Sequence, residues 1–178
     1  WNGWSPDNLH LTGWLRVAPT NTTYFTLAVA GDAVFSGADA HLELTAPQFF
    51  VGGDMTLTNG ARLTLQAVAT NFPASVSGSR GWLGVAGELA VAANSWIHPL
   101  SEPFTGGSLR IEAADLRIDA GGGIDADEGG FYRGVNATGY SVHGYGPGHG
   151  WAAIANGSGA GYGGQGGRSL GQPLRGAI

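Results

Sequence analysis

The chain contains no cysteine and no lysine among its 178 residues. Without cysteine it can form neither a disulfide nor a cysteine-zinc site, so thiol chemistry does not indicate its compartment. The eight basic residues are all arginines, they are scattered, and the formal net charge is −5. Nucleic-acid binding needs concentrated Lys and Arg, and a phosphate-binding Gly-Lys-Ser/Thr loop needs a lysine. We therefore expect no nucleic-acid partner.

Long hydrophobic runs and helical periodicity are also missing. No apolar stretch reaches the roughly 18 residues that a membrane-spanning helix needs, and an apolar period of about 3.6 residues never persists over several turns. We expect almost no helix and no transmembrane helix. The chain begins at Trp1 rather than Met, which is typical of a protein that has lost a signal peptide or been cut from a longer chain. This favours export.

What the sequence does contain is a clear repeating unit, residues 51–65. Within it, Met55-Thr56-Leu57 and Leu63-Thr64-Leu65 alternate apolar and polar residues, as a strand with one buried face requires. Gly52-Gly53-Asp54 and Asn59-Gly60 supply residues that tolerate positive φ at turns. The unit is typical of one coil of a β-solenoid, with two short strands and two turns.

The same pattern returns in residues 29–44, 85–97 and 113–124. In each unit an acidic residue follows a small one, close to an apolar-x-apolar triplet. The acidic residues are 22, 34 and 27 positions apart: Asp32, Asp54, Glu88 and Asp115. Coils of about 22 residues with loops of variable length between them explain this spacing, and periods in this range are typical of solenoids.

The sequence therefore predicts an all-β fold, a right-handed parallel β-helix of about four to five coils followed by a glycine- and aromatic-rich extended segment. Loops are expected over 67–81 and 98–107, where turn residues cluster. We expect a β-solenoid domain over 1–128 and the extended segment and tail over 129–178. The predicted core residues are Leu42, Leu44, Met55, Leu57, Leu63, Leu65, Leu89, Val91, Leu116 and Ile118.

Aromatic residues are concentrated at the N-terminus, where Trp1, Trp4 and Trp14 fall within the first coil. A solenoid end exposes its core and needs a cap. We predict that these three side chains form the cap. The alternative is an exposed aromatic surface that binds sugars.

Glycine dominates residues 121–167, which hold 18 glycines among 47 positions. Such a backbone loses much conformational entropy when it becomes ordered, so its aromatic side chains would have to pack against another surface. That surface would be the solenoid flank or a neighbouring copy of the chain. The predicted interaction residues are Tyr132, Tyr140, Tyr145, Trp151 and Tyr162.

Four segments considered together carry a resemblance to known proteins: residues 53–65, 91–99, 115–127 and 144–167. In combination they resemble the glycine-rich, autotransporter-like parallel β-helix proteins that Gram-negative bacteria secrete or display at the surface. The resemblance covers roughly residues 24–167. It implies a β-helix and an extracellular or cell-surface location, and it supplies no catalytic residues.

The acidic turn residues of the four units would align about 4.8 Å apart in a stacked solenoid. Because like charges that close repel each other, they are either solvated corner residues whose oxygens accept turn amides or ligands of a bridging cation such as calcium. A third alternative is acid and base catalysis, as in parallel β-helix polysaccharide hydrolases. No local signature of those enzymes is present.

A second acidic group precedes the glycine-rich tail and consists of Asp119, Asp125, Asp127 and Glu128. It lacks the spacing of a complete calcium-binding loop. An acidic turn and a calcium site are therefore both open. Apart from calcium, we expect no cofactor.

Two further groups of residues are candidates for modification or metal binding. His143 and His149 would bind a transition metal only if a carboxylate joined them, whereas an unsupported pair usually bonds to backbone. Asn21, Asn136 and Asn156 match the glycosylation acceptor pattern.

Two classes of function follow from these patterns. The first is a non-catalytic extracellular structural or interaction protein, a building block of a fibre or cell-surface layer that is self-associating or adhesive. The alternative is a module that binds or cleaves polysaccharide. Tryptophans buried at coil ends would favour the first class, and tryptophans in an open groove beside paired carboxylates would favour the second. An ice-binding surface would need Thr-x-Thr on every coil, and only residues 56–58 provide it.

Overall fold

The computed structural model of the protein describes residues 3–18, 24–69, 80–104, 107–127 and 129. These residues form thirteen strands and no helix, so the predicted all-β class is confirmed. The strands are β1 (Gly3–Trp4), β2 (Leu9–Leu11), β3 (Trp14–Val17), β4 (Phe25–Val29), β5 (Ala33–Ser36), β6 (His41–Thr45), β7 (Pro47–Val51), β8 (Met55–Thr58), β9 (Arg62–Gln66), β10 (Trp82–Val91), β11 (Trp96–Leu100), β12 (Arg110–Ile118) and β13 (Gly123–Ile124).

The strand pairs of the described residues are all parallel and fall into three ladders. Ladder A joins β1, β4, β7 and the first parts of β10 and β12. Ladder B joins β2, β5, β8 and the second parts of β10 and β12. Ladder C joins β3, β6, β9, β11 and β13. Because β10 continues from ladder A into ladder B, these two ladders form one eight-stranded sheet, and ladder C forms a five-stranded sheet.

The chain passes through ladders A, B and C in the same order five times. Each passage is called a rung here. Rungs 1 to 5 comprise residues 3–17, 25–45, 47–66, 82–100 and 110–124. Each rung therefore contains three strand segments, one in each ladder, rather than the two strands that the sequence predicted for a repeating unit. The strand that sequence reasoning missed is the one in ladder A.

The apolar core lies along columns of residues that successive rungs place in register. One column in ladder B consists of Leu9, Ala33, Met55, Leu89 and Leu116. The middle three are fully buried, as are the corresponding residues of ladder C. Burying each Leu or Met side chain contributes about 1.5–3 kcal/mol. These columns thus supply the main stabilisation that no single short strand would have.

The predicted core is confirmed for every residue from Leu42 to Val91, all of which are fully buried. It is wrong for Leu116 and Ile118, which are 56% and 43% exposed. Both belong to inward-facing columns, in register with buried Leu89 and Val91. They lie in rung 5, beyond which no further described strand pairs with β12. The alternation of apolar and polar residues correctly predicted that these two side chains point inward. It does not tell whether another rung covers them.

Residues 55–57 and 63–65 do not form a hairpin with each other. β8 pairs in parallel with β5 and β10, whereas β9 pairs in parallel with β6 and β11. The predicted loop over 98–107 begins later than expected, because β11 extends to Leu100. In β11, Pro99 sits in register with Leu65, and the strand tolerates it because a proline lacks only its own N–H donor.

The turns from ladder B to ladder C use residues with positive φ. Asn59 and Gly60 have φ values of 57° and 89° in rung 3, and Asn94 has a φ of 62° in rung 4. Asn is the non-glycine residue that adopts this conformation most readily. The predicted turn at Asn59-Gly60 is thereby confirmed.

The long connections between rungs all run from ladder C to the next strand of ladder A. They comprise residues 18–24, 67–81 and 101–109, each with a part outside the described residues. The fourth connection is Ala46 alone, with a φ of 54°. The variable loops that explained the uneven spacing therefore enter the fold at one corner. Of the predicted second segment, 129–178, only Gly129 is among the described residues.

Candidate functional site

The acidic turn residues form a continuous column between ladders A and B, called the corner column here. Asp32 Oδ1 accepts a hydrogen bond from the backbone N–H of Asp54 at 2.9 Å, and Asp54 Oδ1 accepts one from Glu88 N–H at 2.8 Å. The prediction that these oxygens accept turn amides is confirmed for both aspartates. The bonds tie each corner to the next, which satisfies backbone donors that strand pairing leaves free.

The column begins one rung earlier than the sequence pattern suggested. Asn8 Oδ1 accepts a hydrogen bond from Asp32 N–H at 2.9 Å. The four acidic units do not include this rung, because Asn8 rather than an acidic residue lies at its corner. The amide oxygen of Asn8 accepts the same bond as a carboxylate. The signal was Asp7-Asn8 immediately before the alternating Leu9-His10-Leu11.

The glycine before each acidic residue has a steric cause. A Cβ built on Gly31 would overlap Asn8 Oδ1, and a Cβ on Gly53 or Gly87 would overlap the Oδ1 atom of the aspartate one rung earlier. Only glycine leaves room for the accepting oxygen. The Gly-Asp and Gly-Glu phrases of the sequence are thus the signature of this hydrogen-bonded column.

The column changes at rung 5, where Ala114 stands before Asp115. The register between β10 and β12 shifts at this corner, because rung 5 has one residue between Ala113 and Asp115 where rung 4 has two between Val85 and Glu88. The Glu88 carboxylate instead accepts a bond from Arg117 Nε at 3.2 Å, and Arg117 Nη1 donates to Asp119 Oδ1 at 2.8 Å. The hydrogen bonds to Asp119 and to Glu88 raise the pKa of the Arg117 guanidinium.

The predicted calcium group is only partly placed. Asp119 pairs with Arg117, Asp125 Oδ1 accepts a bond from Asp127 N–H at 2.9 Å, and Asp125 Oδ2 lies 3.7 Å from His98 Nδ1. Within the described ranges no three His, Asp or Glu side chains are grouped so that they could hold a metal ion. Glu128 lies outside the described residues, so the calcium site stays a prediction.

The described tryptophans are neither all buried at the ends of the fold nor all set in an open groove beside paired carboxylates. Trp4 lies in an inward column of rung 1, in register with Leu27, and is 37% exposed. Trp14 is 67% exposed and faces outward, since its neighbour Leu15 takes the inward position of ladder C. The predicted cap is therefore wrong for Trp14. Trp1 lies outside the described residues.

An aromatic patch lies on the outer face of ladder A, formed by Phe50, Trp82 and Glu112. The Trp82 indole donates from Nε1 to Glu112 Oε2 at 2.9 Å, and its ring centroid is 6.2 Å from that of Phe50. The ring covers Gly84, where a Cβ would overlap the indole. Phe50 is 39% exposed. The indole therefore lies over Gly84 on the outer face of the sheet, beside a carboxylate.

A second indole, that of Trp96, lies against Gly123 on the outer face of ladder C. A Cβ on Gly123 would come within 2.6 Å of the Trp96 ring. His98 lies two residues after Trp96 in β11, and Asp125 lies two residues after Gly123, just past the end of β13. Their side chains approach each other on the same face. Both half-buried indoles of rung 4 thus rest on a glycine of the sheet.

The rung-5 end is the surface of the last described rung that faces away from rung 4. It exposes the inward-facing side chains Leu116 (56%), Ile118 (43%) and Ile124 (38%). Ile111 and Ala113 are half-buried against the core beside them. Three large aliphatic side chains that belong to core columns are therefore open to solvent at one end, and apolar surface of this kind marks a site of association.

His41 is a partly buried histidine on ladder C. Its Nε2 lies 2.9 Å from Thr64 Oγ1. Burial lowers the pKa of His41, Glu43 opposes this effect, and Arg62 and His98 add to it. The neutral imidazole is the form that this site favours.

Several predicted residues lie outside the described part of the chain. They are the interaction residues Tyr132, Tyr140, Tyr145, Trp151 and Tyr162, the acceptor asparagines Asn21, Asn136 and Asn156, and the pair His143 and His149. The described residues include no helix long and apolar enough to cross a membrane. No family model, no curated protein and no solved structure is significantly similar to the chain.

Proposed function

We propose that the chain is a right-handed parallel β-helix that acts as a non-catalytic, extracellular structural protein, a building block of a fibre or cell-surface layer that associates with copies of itself. The observation that carries this proposal is the rung-5 end. Large aliphatic side chains that are exposed at the end of core columns are costly for an isolated molecule, and a second protein surface would cover them.

The β-helix is supported by the order of the three ladders. A chain that visits A, B and C repeatedly in parallel winds around one core, and parallel crossover connections are right-handed in nearly all proteins. The apolar columns of all three ladders belong to one hydrophobic cluster. The extracellular location rests on the resemblance of the sequence to secreted β-helix proteins.

A non-catalytic role is supported by what the described carboxylates do. Asp32 and Asp54 accept backbone amides, and Glu88, Glu112 and Asp119 pair with arginines. These are structural contacts within or between adjacent rungs. The corner column thus has a sufficient role in holding successive rungs together.

The aromatic patch favours a second candidate function, polysaccharide binding. A half-buried indole on the outer face of a sheet offers a surface on which the C–H groups of a sugar ring can pack, and the adjacent Glu112 carboxylate can accept hydroxyl hydrogen bonds. The Glu112 carboxylate also pairs with Arg110, which holds it in place beside the indole.

Electron microscopy and light scattering of the purified chain test the primary proposal. Fibres, sheets or discrete oligomers are expected. A chain that remains monomeric over a wide concentration range would contradict self-association. Co-sedimentation with insoluble polysaccharides, measured on the same preparation, tests the second candidate independently.

A further inference from the structure

We propose that two copies of the chain associate through their rung-5 ends, in a two-fold arrangement in which β12 of one copy pairs antiparallel with β12 of the other. The inference rests on the proposed self-association and specifies its contact. Such an isologous interface closes on itself, so it produces a dimer. A larger assembly would then be built from dimers.

The edge of β12 is suited to accept another strand. Among the described residues β12 pairs only with β10, so the backbone groups of residues 111–118 along its other edge have no ladder partner there. Leu116, Ile118 and Ile124 are exposed along the same end. The same surface of a second copy would pair the edge and bury the aliphatic side chains together.

The direction of the side chains limits the pairing to registers that place inward-facing residues of ladder A opposite inward-facing residues of ladder B. Ile111 and Ala113 face inward in ladder A, whereas Leu116 and Ile118 face inward in ladder B, because the strand turns at residues 114–115. Directly opposed residues of an antiparallel pair face the same side. A two-fold axis between residues 114 and 115 places Ile111 opposite Ile118 and Ala113 opposite Leu116.

The charges of β12 select the same register. With the axis between residues 114 and 115, Arg110 lies opposite Asp119, and Glu112 lies opposite Arg117. A shift by two residues in one direction would place Arg110 opposite Arg117. A shift in the other direction would place Glu112 opposite Asp119. Several registers place inward-facing residues opposite each other, and among those compared only the axis between residues 114 and 115 also places each charge opposite its counterpart. This self-complementarity indicates a second copy as the occupant.

Rung 1 of a second copy fits the rung-5 end less well. In rungs 2 to 4 the residue before the corner column is glycine, which admits the oxygen of the preceding rung. Rung 1 has Asp7 at this position, since Gly31 N–H donates to Asp7 O just as Gly53 N–H donates to Gly31 O. An Asp115 carboxylate stacked onto rung 1 would meet the Asp7 side chain, both sterically and as a like charge.

Cysteine cross-linking tests the register directly, because the chain has no cysteine of its own. Glu112→Cys and Arg117→Cys are prepared as separate full-length proteins and mixed under mild oxidation. The mixture is expected to form a disulfide-linked dimer, since the two positions face each other across the axis. Neither protein alone should do so efficiently, and neither should a mixture of Glu112→Cys with Arg110→Cys. Equal cross-linking in all mixtures, or none in the first, overturns the register.

Substitution of the exposed leucine tests the surface. By sedimentation the native chain is expected at twice its monomer mass of 18.1 kDa, and Leu116→Asp is expected at the monomer mass with an unchanged far-UV spectrum. The matched control is Trp14→Asp, an exposed residue of rung 1, which should remain dimeric.

The outcomes separate the inference from the proposed function. Assembly that persists in Leu116→Asp would overturn the rung-5 contact and leave self-association intact. A monomeric native chain would overturn both. A monomeric chain that Leu116→Asp strongly destabilises would show that the chain covers its own rung-5 end.

Discussion

Asp32 and Asp54 are 22 residues apart in the chain, yet the Asp32 carboxylate accepts the backbone N–H of Asp54 at 2.9 Å. The separation is one rung, so the hydrogen bond links equivalent corners of successive rungs. Asn8 and Asp54 extend the same relationship in both directions. A local sequence feature, an acidic residue after glycine, thereby becomes a long-range contact that links each rung to the next.

Gly53→Ala is expected to destabilise the protein. The new Cβ would overlap Asp32 Oδ1, and it would either displace the carboxylate or leave the Asp54 N–H without its acceptor. The loss of such a bond costs about 1–3 kcal/mol, which urea unfolding would detect as a lower midpoint. Gly13→Ala is the control, since a Cβ on Gly13 meets nothing within 4 Å. Equal stability of the two variants would contradict the steric role of Gly53.

The residues of the corner column repeat in the sequence, and this repetition made part of the fold predictable. The acidic positions and the alternating triplets 55–57 and 63–65 identified ladders B and C, because both are narrow apolar-polar-apolar strands between glycine-rich turns. Ladder A was missed for a physical reason. In β7, Phe49 is buried and Phe50 lies on the outer surface, so two adjacent aromatics conceal the alternation.

The candidate surfaces were harder to predict than the core. Leu116 has the same pattern as Leu89, but burial depends on whether another rung lies beyond, and strand periodicity does not contain that information. The pairing of Trp82 with Glu112 joins residues 30 positions apart in two adjacent rungs. It follows from the parallel register, which the sequence could not supply because a loop of variable length lies between them.

Leu57→Asp is expected to abolish cooperative folding. Leu57 is fully buried between Phe35 and Val91 in its column, so the substitution would bury an unpaired carboxylate at a cost of several kcal/mol or force its protonation. Thermal unfolding followed by circular dichroism measures the effect. Leu116→Asp makes the same chemical change at an exposed position of a core column and should preserve a cooperative transition. Near-native melting of Leu57→Asp would show that the register is off by one residue.

Protonation of His41 is expected to weaken the fold at acidic pH. Burial lowers its pKa in the folded state below the ordinary value of 6.5, so the unfolded chain binds the proton more readily. The stability that the neutral imidazole contributes is present above pH 6.5 and is lost as the pH falls through the lowered folded pKa. His41→Gln should therefore lose less stability than the native chain between about pH 7 and pH 5.

Urea midpoints at several pH values would measure this difference, with His10→Gln as the control, since His10 is exposed on the outer face of ladder B. Parallel pH profiles for His41→Gln and the native chain would show that other groups account for the acid sensitivity of the fold.

Trp82→Ala is expected to abolish binding if the aromatic patch recognises polysaccharide. The substitution removes the indole, frees Glu112 from its hydrogen bond with Trp82 and uncovers Gly84, while the buried columns of ladder A are unchanged. Stacking on an aromatic ring typically contributes about 0.5–1.5 kcal/mol beyond the buried area. A loss of roughly tenfold or more in affinity is therefore expected in a co-sedimentation or affinity-gel assay.

Trp14→Ala is the matched control for this assay, because Trp14 is more exposed than any other described tryptophan but lies on ladder C, and no ring contact with it is found in the described part of the chain. Retained binding in Trp14→Ala together with loss in Trp82→Ala would locate recognition at the patch. Equal losses would instead indicate nonspecific adsorption through exposed aromatics. No binding by the native chain to neutral or acidic polysaccharides would remove the second candidate function and leave the patch as a cover for Gly84.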